Sequence, residues 1–265
     1  MNTVTSKDGT KIAYETHGSG PVVILVEGAL GYRALNFGQS LADLLSPHFT
    51  VYKYDRRGRG ESSNSKPFTV DREIEDLEAL IDQAGGSAYI YGISSGACLV
   101  LEAAISLGDK IKKIALYEPP YNSDPASIPA WKDYYCDLSK LVAEGRKGDA
   151  VELFMRFVGT PTEMITGMRN AQVWPMLEAA APTLVYDAAE MGADRTVPVQ
   201  RAAAVRSQAL VMDGALNLQY IPAMHATAIA LAKAIPHAQQ RTLEGQTHDV
   251  KADVLAPVLI EFFNR

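Results

Sequence analysis

Residues 22–26 read Val-Val-Ile-Leu-Val, an apolar run closed by Gly28. The run has no polar alternation, so a strand made from it must be covered on both faces. That is the situation of a central strand in a parallel sheet. Parallel neighbours need long crossover connections, usually helices. The chain supplies them. Residues 33–46 read as a helix ending before Pro47, and "FTVYKYD" as the next strand. "DREIEDLEALIDQAG" has helical apolar spacing, an acidic first turn and a glycine stop. Then follow a strand "SAYIYGI", a helix "SGACLVLEAAISLG" and a strand "IKKIALYEPP" halted by two prolines. Ahead of all this, "TVTSKDGTKIAYETHG" reads as a hairpin turning at Asp8-Gly9.

From about residue 121 to about 206 the strand signal disappears. The pattern there is helical, with Trp131, Trp174, several Met and several Pro. "SQALVMDG" resumes a strand, "IPAMHATAIALAKAI" a helix, "AQQRTLEG" a strand and "VLAPVLIEFF" a closing helix. The expected class is α/β, with a doubly wound, mostly parallel sheet. Its core comes in two parts, residues 1–120 and 207–265. The helical stretch 121–206, roughly 85 residues and small for a freestanding domain, is expected to lean on the core as a lid. At 265 residues and 47% hydrophobic content, one large domain with an insertion can bury a sizeable core.

The net charge of −6 gives no hint of nucleic acid as a partner. No run approaches the length of a membrane span, and the N-terminus has no apolar signal region. Cys98 and Cys136 have no metal-ligand spacing and read as free, mostly buried thiols of a reducing compartment. The expectation is a cytoplasmic protein with a small-molecule substrate and no cofactor or metal. Oligomeric state is not readable.

The strongest chemical signal is Gly92-Ile93-Ser94-Ser95-Gly96, a G-x-S-x-G pattern between a strand and a helix. A serine on such a sharp, strained turn needs small residues two positions away on either side. Gly92 and Gly96 meet that need for Ser94; Ser95 lacks such flanks. The turn lifts the Ser94 hydroxyl above the sheet and sets the Ser95 N–H at a helix start, free to meet an anion.

With these residues in view, the chain resembles the α/β-hydrolase superfamily nearly throughout, outside the helical insertion. "YDRRGRGES" is similar to the D-x-R-G-x-G-x-S segment after the fourth strand, through Asp55, Arg57, Gly58, Gly60 and Ser62. "EGQTHDV" resembles the loop after the last strand that carries a catalytic histidine, and "EGALG" stands where many members have His-Gly-x-x-Gly. The resemblance implies an eight-stranded sheet with a nucleophile elbow at Ser94. Of five histidines, His17, His48, His225 and His237 read as structural or solvated. His248 lies late in the chain, in a loop that can reach the serine, and is the expected general base.

The acid is less direct. Most superfamily members place it after the penultimate strand, in a G-x-x-D arrangement. Here that arrangement is Gly214-Ala215-Leu216-Asn217, and Asn217 carries no charge. Asp213, at the end of the "ALVMD" strand, is one replacement. Glu118, at the end of "KIALYE", is the other and the preferred one. Its placement resembles a branch of the haloalkane dehalogenases whose acid follows the strand after the nucleophile helix. A dyad assisted by Asn217 is the third possibility. The resemblance also implies an oxyanion hole from the Ala29 and Ser95 N–H groups. Glu27 stands out: a carboxylate there would repel a developing oxyanion. It is expected to brace neighbouring loops, with Arg33, Arg57 and Arg59 as available partners, or to act as an additional acid/base group.

The expected activity is cofactor-independent serine hydrolysis of a small or medium, fairly apolar ester, lactone or thioester through an acyl-enzyme. The same triad would serve carbon–carbon bond hydrolysis or perhydrolysis. A non-catalytic ligand-binding protein on this scaffold is the alternative of a different class.

Overall fold

The computed structural model describes residues 2–35 and 39–265. Eight strands form one sheet: β1 (Asn2–Thr5), β2 (Lys11–His17), β3 (Val22–Val26), β4 (Thr50–Tyr54), β5 (Ala88–Ile93), β6 (Ile111–Tyr117), β7 (Gln208–Gly214) and β8 (Ala238–Leu243). Their spatial order is β1-β2-β4-β3-β5-β6-β7-β8. The hairpin strand β2 pairs antiparallel with β1 and β4. All other pairings are parallel, so the carboxyl ends of β3 to β8 share one edge. The order reverses at β3, with β4 on one side and β5 on the other. In open α/β sheets, ligands bind in the crevice at such a reversal.

Helices cover both faces. On one side α1 (Gln39–Leu45) and α12 (Ala252–Asn264) pack over Val23, Leu25, Tyr91 and Leu210. On the other, α2 (Val70–Gln83), α3 (Ser95–Leu107) and α11 (Pro222–Ala234) cover Ile24, Val26, Ile90 and Ile114. Val23 and Ile24 are neighbours in β3 yet both are fully buried, on opposite faces. This is why the run shows no alternation: neither face of β3 meets water. Between β7 and α11 lies the short α10 (Asn217–Tyr220).

Between β6 and β7 the described elements are all helical: α4 (Ile128–Ala143), α5 (Lys147–Phe157), α6 (Thr162–Arg169), α7 (Trp174–Ala180), α8 (Leu184–Glu190) and α9 (Val199–Ala202), with short 3-10 turns. They have their own apolar cluster, built on Trp131, Tyr134, Leu138, Trp174 and Leu177. Leu30 and Tyr32, which follow β3, are part of it. The insertion therefore packs on the loop that leaves the central strand, and Tyr32 Oη donates to the Met176 carbonyl at 3.1 Å.

Two local expectations need correction. Where residues 33–46 were expected as a helix, a 3-10 turn spans Arg33–Leu35 and α1 spans Gln39–Leu45, while residues 36–38 lie outside the described residues. Cys136 is exposed on α4, whereas Cys98 is buried in α3 as expected. No helix among the described residues is long and apolar enough to cross a membrane.

Candidate active site

Ser94 sits between β5 and α3 with φ 57° and ψ −131°, a backbone state costly for a residue with a side chain. The turn survives because its neighbours are glycine. A methyl group at Gly92 would lie 2.6 Å from the Gly96 carbonyl oxygen. One at Gly96 would lie 2.5 Å from the Val26 oxygen and 2.6 Å from that of Glu27. Ser94 N–H donates to the Tyr117 carbonyl at 2.9 Å, and the Ser94 carbonyl accepts from Ala97 at 2.9 Å.

The Gly28 backbone presses on this turn: a Cβ there would sit 2.9 Å from the Ser94 Cβ. Gly28→Ala is therefore expected to push the loop off the serine. Displacement of about 1 Å costs on the order of 10²-fold in turnover, with about 1–3 kcal/mol of stability lost to overpacking. The rate at which a serine-directed fluorophosphonate labels the variant, and its thermal melting, check this. The backbone N–H groups of Ala29 and Ser95 donate to no other protein group among the described residues.

Arg59 fixes the same loop from below. Its Nη1 donates to the Gly28 carbonyl at 2.6 Å and to Gly31 at 3.2 Å. Its Nη2 reaches both oxygens of Asp187 on α8, at 2.7 and 2.8 Å. Asp187 also accepts from Arg56 at 2.8 Å and from the Ser95 hydroxyl at 2.7 Å. One buried carboxylate of the insertion thus ties together two core arginines and the first residue of α3. Sequence reading missed Asp187. The available signal was an aspartate and a glutamate, Asp187 and Glu190, three apart in an otherwise apolar helix.

Asp55 caps the neighbouring turn, accepting from the Arg33 N–H at 2.8 Å and the Glu61 N–H at 2.9 Å. A methyl at Gly60 would collide with its carboxylate. Arg57 reaches Asp76 and Asp8, both within 2.9 Å. The Ser62 hydroxyl donates to the Asp55 carbonyl at 2.6 Å. These motif residues build the turn that carries Arg59.

At the end of β6, Glu118 is fully buried and has φ 46°. Its carboxylate accepts from Gly214 N–H at 2.9 Å and from Asn217 Nδ2 at 2.9 and 2.8 Å. It also meets His248 Nδ1 at 2.7 Å. A carboxylate can only accept, so Nδ1 presents its proton to Glu118, which leaves Nε2 as the basic nitrogen. The His248 loop is itself anchored. Tyr117 Oη donates to the Thr247 carbonyl at 2.5 Å, and Leu216 N–H to that of Gln246 at 3.0 Å.

Asp213 points elsewhere. It lies one residue earlier in β7, and a strand alternates its side chains between faces. Its oxygens meet His225 Nδ1 at 2.9 Å and Gln240 Nε2 at 2.8 Å. Asn217 makes no hydrogen bond to His248 in the structure; it holds both oxygens of Glu118.

Burial alone would raise the Glu118 carboxyl, but the hydrogen bonds from His248, Gly214 and Asn217 outweigh it and hold the group below its ordinary 4.5. A carboxylate depressed on folding stabilises fully above its unfolded value and loses that contribution as pH falls through the folded one. Melting temperature is therefore expected to fall more steeply below pH 4.5 in the wild type than in Glu118→Gln. Melts from about pH 6 to about pH 3 check this.

Glu27 finds none of its expected arginine partners. Arg33 pairs with Asp55 and Glu61, Arg57 with Asp76 and Asp8, and Arg59 with Asp187. Burial pushes the Glu27 carboxyl up, and the fields of Lys53 and Arg59 only partly offset this. A carboxyl held towards its neutral form repels a nearby oxyanion less. Among the described residues, no cluster of three or more His, Cys, Asp or Glu could hold a metal ion.

The α/β hydrolase fold family model matches residues 21–151. An α/β hydrolase from Sphaerobacter thermophilus DSM 20745 has a similar structure, with a TM-score of 0.88 and 50% identity over 99% of this chain and 100% of that one. An uncharacterized hydrolase of Bacillus subtilis, YraK, is 32% identical over 42% of each chain. A zearalenone hydrolase of Cladophialophora bantiana is 29% identical over 48% of this chain and 54% of its own. The chain spans about half the length of these curated relatives. It belongs to the α/β-hydrolase fold family.

Proposed function

We propose that the protein is a cofactor-independent serine hydrolase of a small or medium carboxylic ester, lactone or thioester. The observation that carries this reading is the contact between the buried Glu118 carboxylate and the half-exposed His248 Nδ1, on the strand edge that also carries the strained Ser94. Ser94 Oγ attacks the carbonyl while His248 Nε2 takes its proton. The tetrahedral oxyanion is received by the N–H groups of Ala29 and Ser95, and the leaving alcohol takes the proton back from His248. Water then enters by the same route and releases the acid from the Ser94 ester. Glu118 fixes the imidazole tautomer and stabilises its charged form, and Asn217 orients Glu118. The helical insertion acts as a lid whose aromatic and Met side chains supply an apolar pocket.

Support for hydrolysis over ligand binding comes from the relatives that carry hydrolase names. A stopped-flow experiment with p-nitrophenyl acetate tests the acyl-enzyme. The expected result is a burst of about one nitrophenol per chain, with an acetyl group on Ser94 in quenched protein. Turnover without acetylated Ser94 would contradict the mechanism. Turnover equal in Ser94→Ala and wild type would contradict the whole reading.

A further inference from the structure

Arg195, a half-buried cation of the helical insertion, forms no ion pair among the described residues. We propose that the Arg195 guanidinium binds a carboxylate group of the substrate, so that the preferred substrates are small esters or lactones bearing a free acid. This rests on the reading of Ser94 as the nucleophile and names the substrate class of that same site.

The buried arginines of the core each meet a carboxylate: Arg56 meets Glu73 and Asp187, Arg57 meets Asp76, and Arg59 meets Asp187. Arg195 is half-buried and forms no ion pair among the described residues. Its Nε is buried without a hydrogen-bond partner among them. The guanidinium lies 5.4 Å from the Trp131 ring centroid and 5.2 Å from that of Phe157. Aromatic faces hold a guanidinium but accept none of its in-plane N–H groups, which stay free to donate. Burial acts against its charged form, and no neighbouring carboxylate offsets this.

The backbone is committed to the same arrangement. Four described non-glycine residues have positive φ: Leu30, Ser94, Glu118 and Arg195. Ser94 and Glu118 belong to the candidate triad, and Leu30 follows the Ala29 donor. Such strain concentrates at active sites and ligand clamps. Arg195 is held there from both sides. Its carbonyl accepts from Asn122 N–H at 2.8 Å, and Asp194 closes a turn onto Thr196 N–H at 3.1 Å.

The position suits the chemistry. The ionisable side chains that lie close enough to bear on the Arg195 charge are Cys98 and Tyr134. Cys98 lies one helical turn beyond Ser94, about 5.4 Å along the axis, and its N–H meets the Ser94 carbonyl at 3.3 Å. Tyr134 stacks on Phe157 at 4.1 Å and shares its apolar cluster with Leu30 and Ala29. The guanidinium thus belongs to the aromatic wall that packs on the oxyanion loop. A single fork-shaped cation matches a monoanionic carboxylate in shape and charge.

Two readouts test the proposal. The first compares kcat/KM for monomethyl succinate and methyl butanoate, which differ in the free acid. The expected wild-type preference for the acid ester is about 10-fold or more. Arg195→Gln is expected to lose about 10²-fold on that ester and less than about threefold on the neutral one, with Arg195→Lys in between. No wild-type preference, or an equal loss on both esters, overturns the proposal. The second readout is the melting temperature in sodium butanoate against sodium chloride at equal ionic strength. Butanoate is expected to stabilise the wild type and not Arg195→Gln. Absence of butanoate-specific stabilisation of the wild type overturns the proposal whatever the turnover, and decides the matter if the variant does not fold. Ser94 labelling by a fluorophosphonate without acid preference would sink the substrate assignment alone. Loss of that labelling would sink the hydrolase reading instead.

Discussion

Glu118→Gln is expected to lower kcat by about 10³–10⁴-fold while leaving KM within a few-fold, the size of effect seen when a triad acid becomes an amide elsewhere. The loss has two sources. The amide has one acceptor oxygen and one donor nitrogen, and the Glu118 site contains only donors: Gly214 N–H, Asn217 Nδ2 and His248 Nδ1. The substituted side chain must therefore aim an N–H at one of them or force His248 to expose its other tautomer. The negative charge that would stabilise a forming imidazolium is also gone. Because the change touches only the His248 partner, ground-state binding should be nearly untouched, which separates this from general damage. Asp213→Asn is the control, expected to retain wild-type kcat within a few-fold because Asp213 engages His225 and Gln240 instead. If Asp213→Asn were the crippled variant and Glu118→Gln the silent one, the acid would be misassigned.

Asp187→Ala is expected to be the most destabilising single change in this set. The carboxylate is buried and accepts hydrogen bonds from Arg56, Arg59 and Ser95. Arg56 keeps Glu73 and Glu190 when Asp187 is removed, but Arg59 keeps only carbonyls and the Thr183 hydroxyl. A buried cation without a counter-charge costs about 3–5 kcal/mol. At about 2–4 °C per kcal/mol for a chain of this size, the melting temperature should fall by roughly 6–20 °C. Turnover should fall too, since Arg59 fixes the Gly28 carbonyl and Ser95 opens the nucleophile helix. Asp187→Asn keeps the acceptor and shape and loses the charge, so it should fall between wild type and Asp187→Ala. A melting temperature within about 2 °C of wild type for Asp187→Ala would mean that these arginines are satisfied without it.

Legibility in the sequence followed the range of each requirement. The doubly wound sheet was readable because burial on both faces writes itself into five consecutive apolar residues. The turn at Ser94 was readable because its steric demand falls on Gly92 and Gly96, two residues away. The choice between Glu118 and Asp213 was not fixed by spacing. It depends on which way the end of β7 faces, and that follows from pairing of Asp213 with Thr242 and Gly214 with Leu243 in β8. Asn217 read as a charge lost from the usual place. In the structure it faces the two oxygens of Glu118, where an aspartate would set two buried carboxylates against each other. Asp187 and Arg195 were invisible for a different reason. Their meaning lies in what surrounds them, Arg59 and Ser95 for the one and the want of an ion pair among the described residues for the other. Both surroundings come from contacts between segments distant in the chain.

The most direct measurement is reaction of the folded protein with a fluorophosphonate probe, followed by intact mass and peptide mapping. A single adduct on Ser94, lost in His248→Ala and strongly slowed in Glu118→Gln, is the predicted result. Folded protein that takes up no probe, or an adduct on another residue with Ser94 unmodified, would contradict the assignment of Ser94 as an activated nucleophile.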